Sequence, residues 1–231
     1  MRKVFAILDI ETITNARLAF DIAWIVCDSK GNELERANYL VKEITSLPFF
    51  TPLLTSDNFM HNKSDFYLNN FNNFTIAPLG TIADDFNGIK NRYDAQVVMC
   101  AYNAKFDYEV LNKNNQIYNG CNFFNDDIKT TDIMTVALST ICDSDRFVAW
   151  CALNGHLTEK NNVKSSAETV YAYIKRDASF KEAHHALEDC EIEKEILFTA
   201  RKTKKKQSTQ FAMPVFACPE WKAVQSRKKH F

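Results

Sequence analysis

No run of this sequence approaches the roughly 18 consecutive apolar residues of a membrane-spanning helix. The apolar stretch near the start is also too short for the core of a secretory leader. We therefore expect a cytoplasmic protein with no membrane partner. A cysteine framework is missing too: Cys27, Cys100, Cys121, Cys142, Cys151, Cys190 and Cys218 are odd in number and scattered, with no CxxC pair, so they read as reduced thiols. Phe216-Ala217-Cys218-Pro219-Glu220-Trp221 resembles half of a zinc ribbon but has one sulfur where two are needed. Excess charge is absent as well. With 28 Lys and Arg against 29 Asp and Glu, the net charge of -1 exerts no global pull on polyanions. Any contact with a charged polymer must come from local patches, and no internal repeat is visible.

What is present, 231 residues at 46% apolar content, suffices for one main domain with a sizeable core. Residues 3–9 and 21–27 are apolar strand runs, and a weaker strand pattern covers 33–41 after a Gly31-Asn32 turn, which predicts an antiparallel three-strand meander. Residues 46–78, rich in Asn, Phe, Ser and Thr, read as an irregular insertion with room for one short helix. Ile82, Phe86 and Ile89 mark a helix over 80–93, and 96–101 is a buried strand, together a parallel crossover. Helices follow over 104–113, capped by Asn103, and over 132–141, 145–153, 165–175 and 186–202. This order predicts an α/β fold with a mixed sheet, antiparallel over its first three strands and then parallel, flanked by helices. The basic runs at 201–206 and 227–230 read either as a solvated helix end with a loose tail or as a phosphate-backbone contact.

Asp9 and Glu11 close the first strand. Alternate strand residues share a face, so the two carboxylates point the same way and repel unless cations or donors satisfy them. They are either a hydrated strand end or half of a site. Asp107 lies just after the strand 96–101, at the carboxyl end of the sheet where ligand sites collect, although a first-turn acid also complements a helix dipole. Asp189 heads an apolar stripe of Ile192, Ile196 and Ala200, whereas Glu188, Glu191, Glu193 and Glu195 read as a solvated face. A histidine stands close by at 184 or 185. Four inward acids and a histidine suit two divalent cations, Mg²⁺ or Mn²⁺, about 3.5 to 4 Å apart, which activate a water for phosphodiester hydrolysis.

Three ordered blocks then carry a resemblance. Asp9-Ile10-Glu11-Thr12 resembles the D-x-E-T motif of the DEDDh branch of the DEDD (DnaQ-like) 3′-to-5′ exonucleases. Asn103-Ala104-Lys105-Phe106-Asp107 resembles the second motif of that branch, and His184-His185-Ala186-Leu187-Glu188-Asp189 its H-x-x-x-x-D. The likeness covers about residues 1–203. It implies an RNase H-like fold and metal-dependent release of nucleoside 5′-monophosphates from the 3′ ends of single-stranded DNA or RNA. By the same resemblance Asp9, Glu11, Asp107 and Asp189 would be the metal ligands, His184 the general base, and Thr12 a neighbour of the terminal nucleotide. Helix geometry alone favours His185, four residues from Asp189; the motif favours His184, and both hold if the helix starts at about His185. Two other functions fit the same residues: a non-catalytic nucleic-acid-binding module that stacks bases on insertion aromatics such as Phe66 and Tyr67, or a proofreading or accessory subunit whose tail, 204–231, docks a polymerase or other replication or repair partner.

Overall fold

Three long strands open the chain and set the frame: β1 (Lys3–Ile13), β2 (Leu18–Cys27) and β3 (Glu33–Val41). The computed structural model describes residues 2–13, 17–48, 50–51 and 61–203, with the side chains of 61 and 62 excepted. β1 pairs antiparallel with β2, Leu8 opposite Trp24, and β2 pairs antiparallel with β3, Trp24 opposite Ala37. β2 is apolar along almost its whole length and is buried on both faces, as a central strand must be. β3 alternates more and stays partly exposed. The β2–β3 connection is tight because Asp28 Oδ1 accepts from the amides of Lys30 and Asn32, while Gly31 takes φ +92° at no Cβ cost.

The one-turn helix α1 (Lys42–Thr45) follows, and the insertion then contributes helix α2 (His61–Asn70), a 3₁₀ turn (Phe71–Asn73) and strand β4 (Thr75–Ala77), which adds parallel to β3. Helix α2 takes the place of the short helix allowed for in the insertion, and β4 is an element that the sequence pattern did not indicate. Helix α3 (Leu79–Tyr93) buries Ile82, Phe86 and Ile89 as their spacing predicts, and ends on Asp94 in a left-handed conformation. Strand β5 (Gln96–Ala101) and helix α4 (Ala104–Asn119) come next; α4 runs a turn and a half beyond the expected end, and Asn103 before it has φ +68°. The remaining elements are β6 (Lys129–Asp132), α5 (Ile133–Thr140), α6 (Asp145–Leu153), α7 (Ala167–Lys175) and α8 (Ala186–Lys202). The sheet has six strands in the order β4-β3-β2-β1-β5-β6, mixed as expected. Among the described residues, no helix is long and apolar enough to cross a membrane, and the six cysteines form no disulfide.

The chain divides into two compact units. The first comprises Met1–Met99, Phe106–Lys129 and Ala183–Cys190. Its core is aromatic: Trp24 meets Phe86 edge to face at 5.4 Å, Phe86 meets Phe124 in the same way at 5.3 Å, and Tyr108 stacks flat on Phe124 at 5.0 Å. Such pairs contribute about 0.5–1.5 kcal/mol each beyond their buried area. The second unit comprises Cys100–Lys105, Thr130–Glu182 and Glu191–Phe231. Here side-chain caps define the helices: Asp132, Ser144 and Ser166 accept the amides of Thr135, Phe147 and Thr169, each fixing a helix start by roughly 1 kcal/mol. Trp150 stacks on His156 at 4.9 Å and Phe147 meets Tyr173 edge to face.

Candidate active site

The opening acids lie at the end of β1, where the strand leaves regular pairing. Asp9 sits opposite Ala23 and Glu11 opposite Asp21, and the register shifts between Glu11 and Thr12. Such a bulge re-aims the strand end. Glu11 is buried, while Asp9 and Thr12 are half-buried. Asp107, in the first turn of α4, is also buried, and so is Asp189 in the first turn of α8. The hydrated-strand-end alternative does not fit Glu11, which is 8% exposed.

His184 precedes α8 and is not helical: its φ is +58°, and the first helical bond runs from the Asp189 amide to the His185 carbonyl. One left-handed residue turns the chain sharply, so His184 leaves the face that helical spacing would assign to it. The amide of Ala186 donates to Asp21 Oδ2 at 3.3 Å, and the Cys190 thiol donates to the Ala23 carbonyl at 3.4 Å, tying the segment to β2. Ligand atoms of Glu11, His184 and Asp189 thereby lie within 4.8 Å of one another. Asp9 and Asp107 are outside this group of three. Of the acids expected to be solvated on α8, Glu193 is instead 3% exposed, a correction, while Glu188 and Glu191 are exposed and Glu195 pairs with Lys175.

The sequence did not point to the layer that the insertion adds. Lys63, on α2, is buried and its Nζ lies 3.4 Å from both carboxylate oxygens of Glu11. One turn on, the Phe66 ring stacks on the His185 imidazole, and the Tyr67 hydroxyl donates to Asp21 Oδ2 at 2.7 Å. Asp21 is wholly buried; burial pushes its pKa up to about 6 against the opposing influence of Tyr67, the Ala186 amide and Lys63. Tyr67 is pushed far above the usual phenol range, by burial first and then by Asp21, Glu11 and Asp9. Burial, with Lys63 and His184 adding to it, pulls His185 down to about 4. A signal for Asp21 was available, since it is an acid inside a strand that is otherwise apolar. Lys63 carried none.

The mixed sheet, its strand order and its flanking helices match the RNase H-like fold of solved exonuclease structures. Solved structures with this architecture include E. coli Exonuclease I in complex with a dA16 oligonucleotide, 13% identical with a TM-score of 0.57 over 91% of this chain and 42% of that one. The zinc-bound E. coli Exonuclease I–ssDNA complex is 16% identical, TM-score 0.53, over 87% and 41%. Exonuclease X in complex with 5′-overhanging duplex DNA is 17% identical, TM-score 0.50, over 90% and 97%. The chain spans about two-fifths of the length of Exonuclease I. No family model and no curated protein sequence matches it.

Proposed function

We propose that the chain is a metal-dependent 3′-to-5′ exonuclease, a hydrolase that removes nucleoside 5′-monophosphates from the 3′ ends of single-stranded DNA or RNA, with residues 1–203 as the exonuclease domain and 204–231 as a basic tail. The observation that carries the reading is the convergence of Glu11, His184 and Asp189, distant in sequence, within 4.8 Å. The neighbours in this fold include complexes of exonucleases with DNA, which supports a nucleic-acid substrate. The six described cysteines, none of them in a disulfide, fit a reducing, cytoplasmic setting.

The converging carboxylate oxygens of Glu11 and Asp189 fit a hard divalent cation, and no sulfur stands among the grouped atoms. Moreover, the Lys63 ammonium already stands against Glu11 as a cation in this place. In this reading Asp9, Glu11, Asp107 and Asp189 hold two Mg²⁺ or Mn²⁺ ions, which when bound supply charge neutralisation and an acidified water. His184 takes the proton of the attacking water at its imidazole nitrogen, from a backbone position set outside the helix. Thr12, just past the bulge, brings its backbone to the terminal nucleotide.

A 5′-labelled single strand incubated with Mg²⁺ or Mn²⁺ tests the proposal, as matched DNA and RNA. The expected product is a ladder shortening from the 3′ end that disappears with Asp189→Asn; internal cleavage fragments, or no products from either strand, would overturn it.

A further inference from the structure

A lysine is seldom buried unless a partner compensates its charge, because desolvating an ammonium is costly. Lys63 is 5% exposed and pairs with Glu11, whose two oxygens it faces at the same 3.4 Å. Glu11 is also one of the three residues whose ligand atoms converge within 4.8 Å. The Lys63 charge also acts on Asp21, whose pKa it lowers against burial, and on His185, where it adds to the burial that favours the neutral imidazole. Each carboxylate oxygen that faces the ammonium gives up part of its negative charge and one of its lone-pair directions, and so is a weaker ligand for a divalent ion. The two cations would also repel strongly at such range in a water-poor site.

We propose that Lys63 is a tethered counter-cation that competes with the divalent metal for Glu11, so that this one residue sets the metal affinity of the site. The inference rests on the metal-dependent reading above. Loading the site requires the Lys63 ammonium to withdraw from Glu11, and its side chain is long and flexible enough to do so by rotamer change. Phe66 and Tyr67 hold α2 against His185 and Asp21, which keeps Lys63 close by for return.

The test is calorimetric titration of Mn²⁺ into the full chain as wild type, Lys63→Met and Lys63→Arg. Methionine keeps the apolar stem and removes the charge; arginine keeps the charge. Lys63→Met should bind Mn²⁺ about tenfold more tightly or better, since a like charge beside the ion is gone, and Lys63→Arg should stay near wild type. Equal or weaker Mn²⁺ binding by a folded Lys63→Met overturns the competition. A second measurement uses the wild type alone: amine acetylation read by mass spectrometry should find Lys63 protected without metal and labelled at Mn²⁺ saturation. Protection that persists at saturation likewise overturns the proposal. If neither wild type nor variants bind Mn²⁺, the metal site itself fails; if wild type and Lys63→Met bind it equally, only the role of Lys63 does.

Discussion

The Phe66 ring lies flat on the imidazole of His185, with centroids 3.4 Å apart and planes 16° from parallel. Tyr67 closes on the same imidazole edge-on at 5.6 Å. An imidazole so enclosed, and with its pKa pulled down to about 4 mainly by burial, is neutral at working pH and serves as a packing group. His184 is the neighbour that reaches Glu11 and Asp189.

The two histidines should therefore part ways on substitution. His185→Phe keeps a flat ring for Phe66 and should retain activity within a few-fold, whereas His184→Ala should lose about a hundredfold or more of kcat, the range of a general base. Rates on a labelled single strand give the comparison, and Mn²⁺ titration of His184→Ala should show binding retained. Strong loss in His185→Phe with an active His184→Ala would reverse the assignment.

Phe66→Ala removes the stack without touching any acid. Loss of an aromatic pair and part of its burial should lower unfolding free energy by roughly 1–3 kcal/mol in urea denaturation. Activity should fall with it, because α2 is what presses on the turn carrying His184. A variant with unchanged stability would show that the stack contributes nothing to the fold.

Asp21 makes stability depend on pH. Its folded pKa, about 6, lies above the ordinary 3.8, so the fold binds a proton that the unfolded chain has released. The advantage is fully present below the unfolded value and is lost as pH rises through about 6. Between those limits it amounts to roughly 3 kcal/mol. Asp21→Asn cannot ionise and can still accept from Tyr67 and Ala186 through one oxygen, as Oδ2 now does. Its stability relative to wild type should rise between pH 4 and pH 7 by about that amount; a difference that stays flat with pH would show that Asp21 is not the titrating group.

The site was legible where chemistry and local pattern coincide. Alternation along β1 put Asp9 and Glu11 on one face, and the break between His184 and the helix was foreseen to within a residue, α8 starting at Ala186. The three-residue β4 and four-residue β6 are too short to show a period, so neighbouring strands decide them. Lys63 was hidden for another reason. It meets Glu11 from 52 positions away along the chain, out of a segment whose polar residues gave no clear helical stripe. Glu193 failed in the opposite sense, since spacing on one helix does not reveal what other elements cover.

The Glu11–Lys63 pair offers the last expectation, because both members are buried, with side chains 11% and 5% exposed. Removing one member of such a pair leaves the other as an uncompensated charge, at a cost of about 3 kcal/mol or more, while replacing both by neutral groups costs far less. Glu11→Gln in the absence of metal should accordingly be strongly destabilised, and adding Lys63→Met to it should restore most of the loss. The double-mutant cycle, read from urea denaturation without divalent cations, measures the coupling. Its sign separates this pair from a merely exposed one, for which the two changes would add. A coupling near zero would mean that Lys63 gains little from Glu11 in the metal-free fold, and the ammonium would then be no obstacle to a cation at that carboxylate.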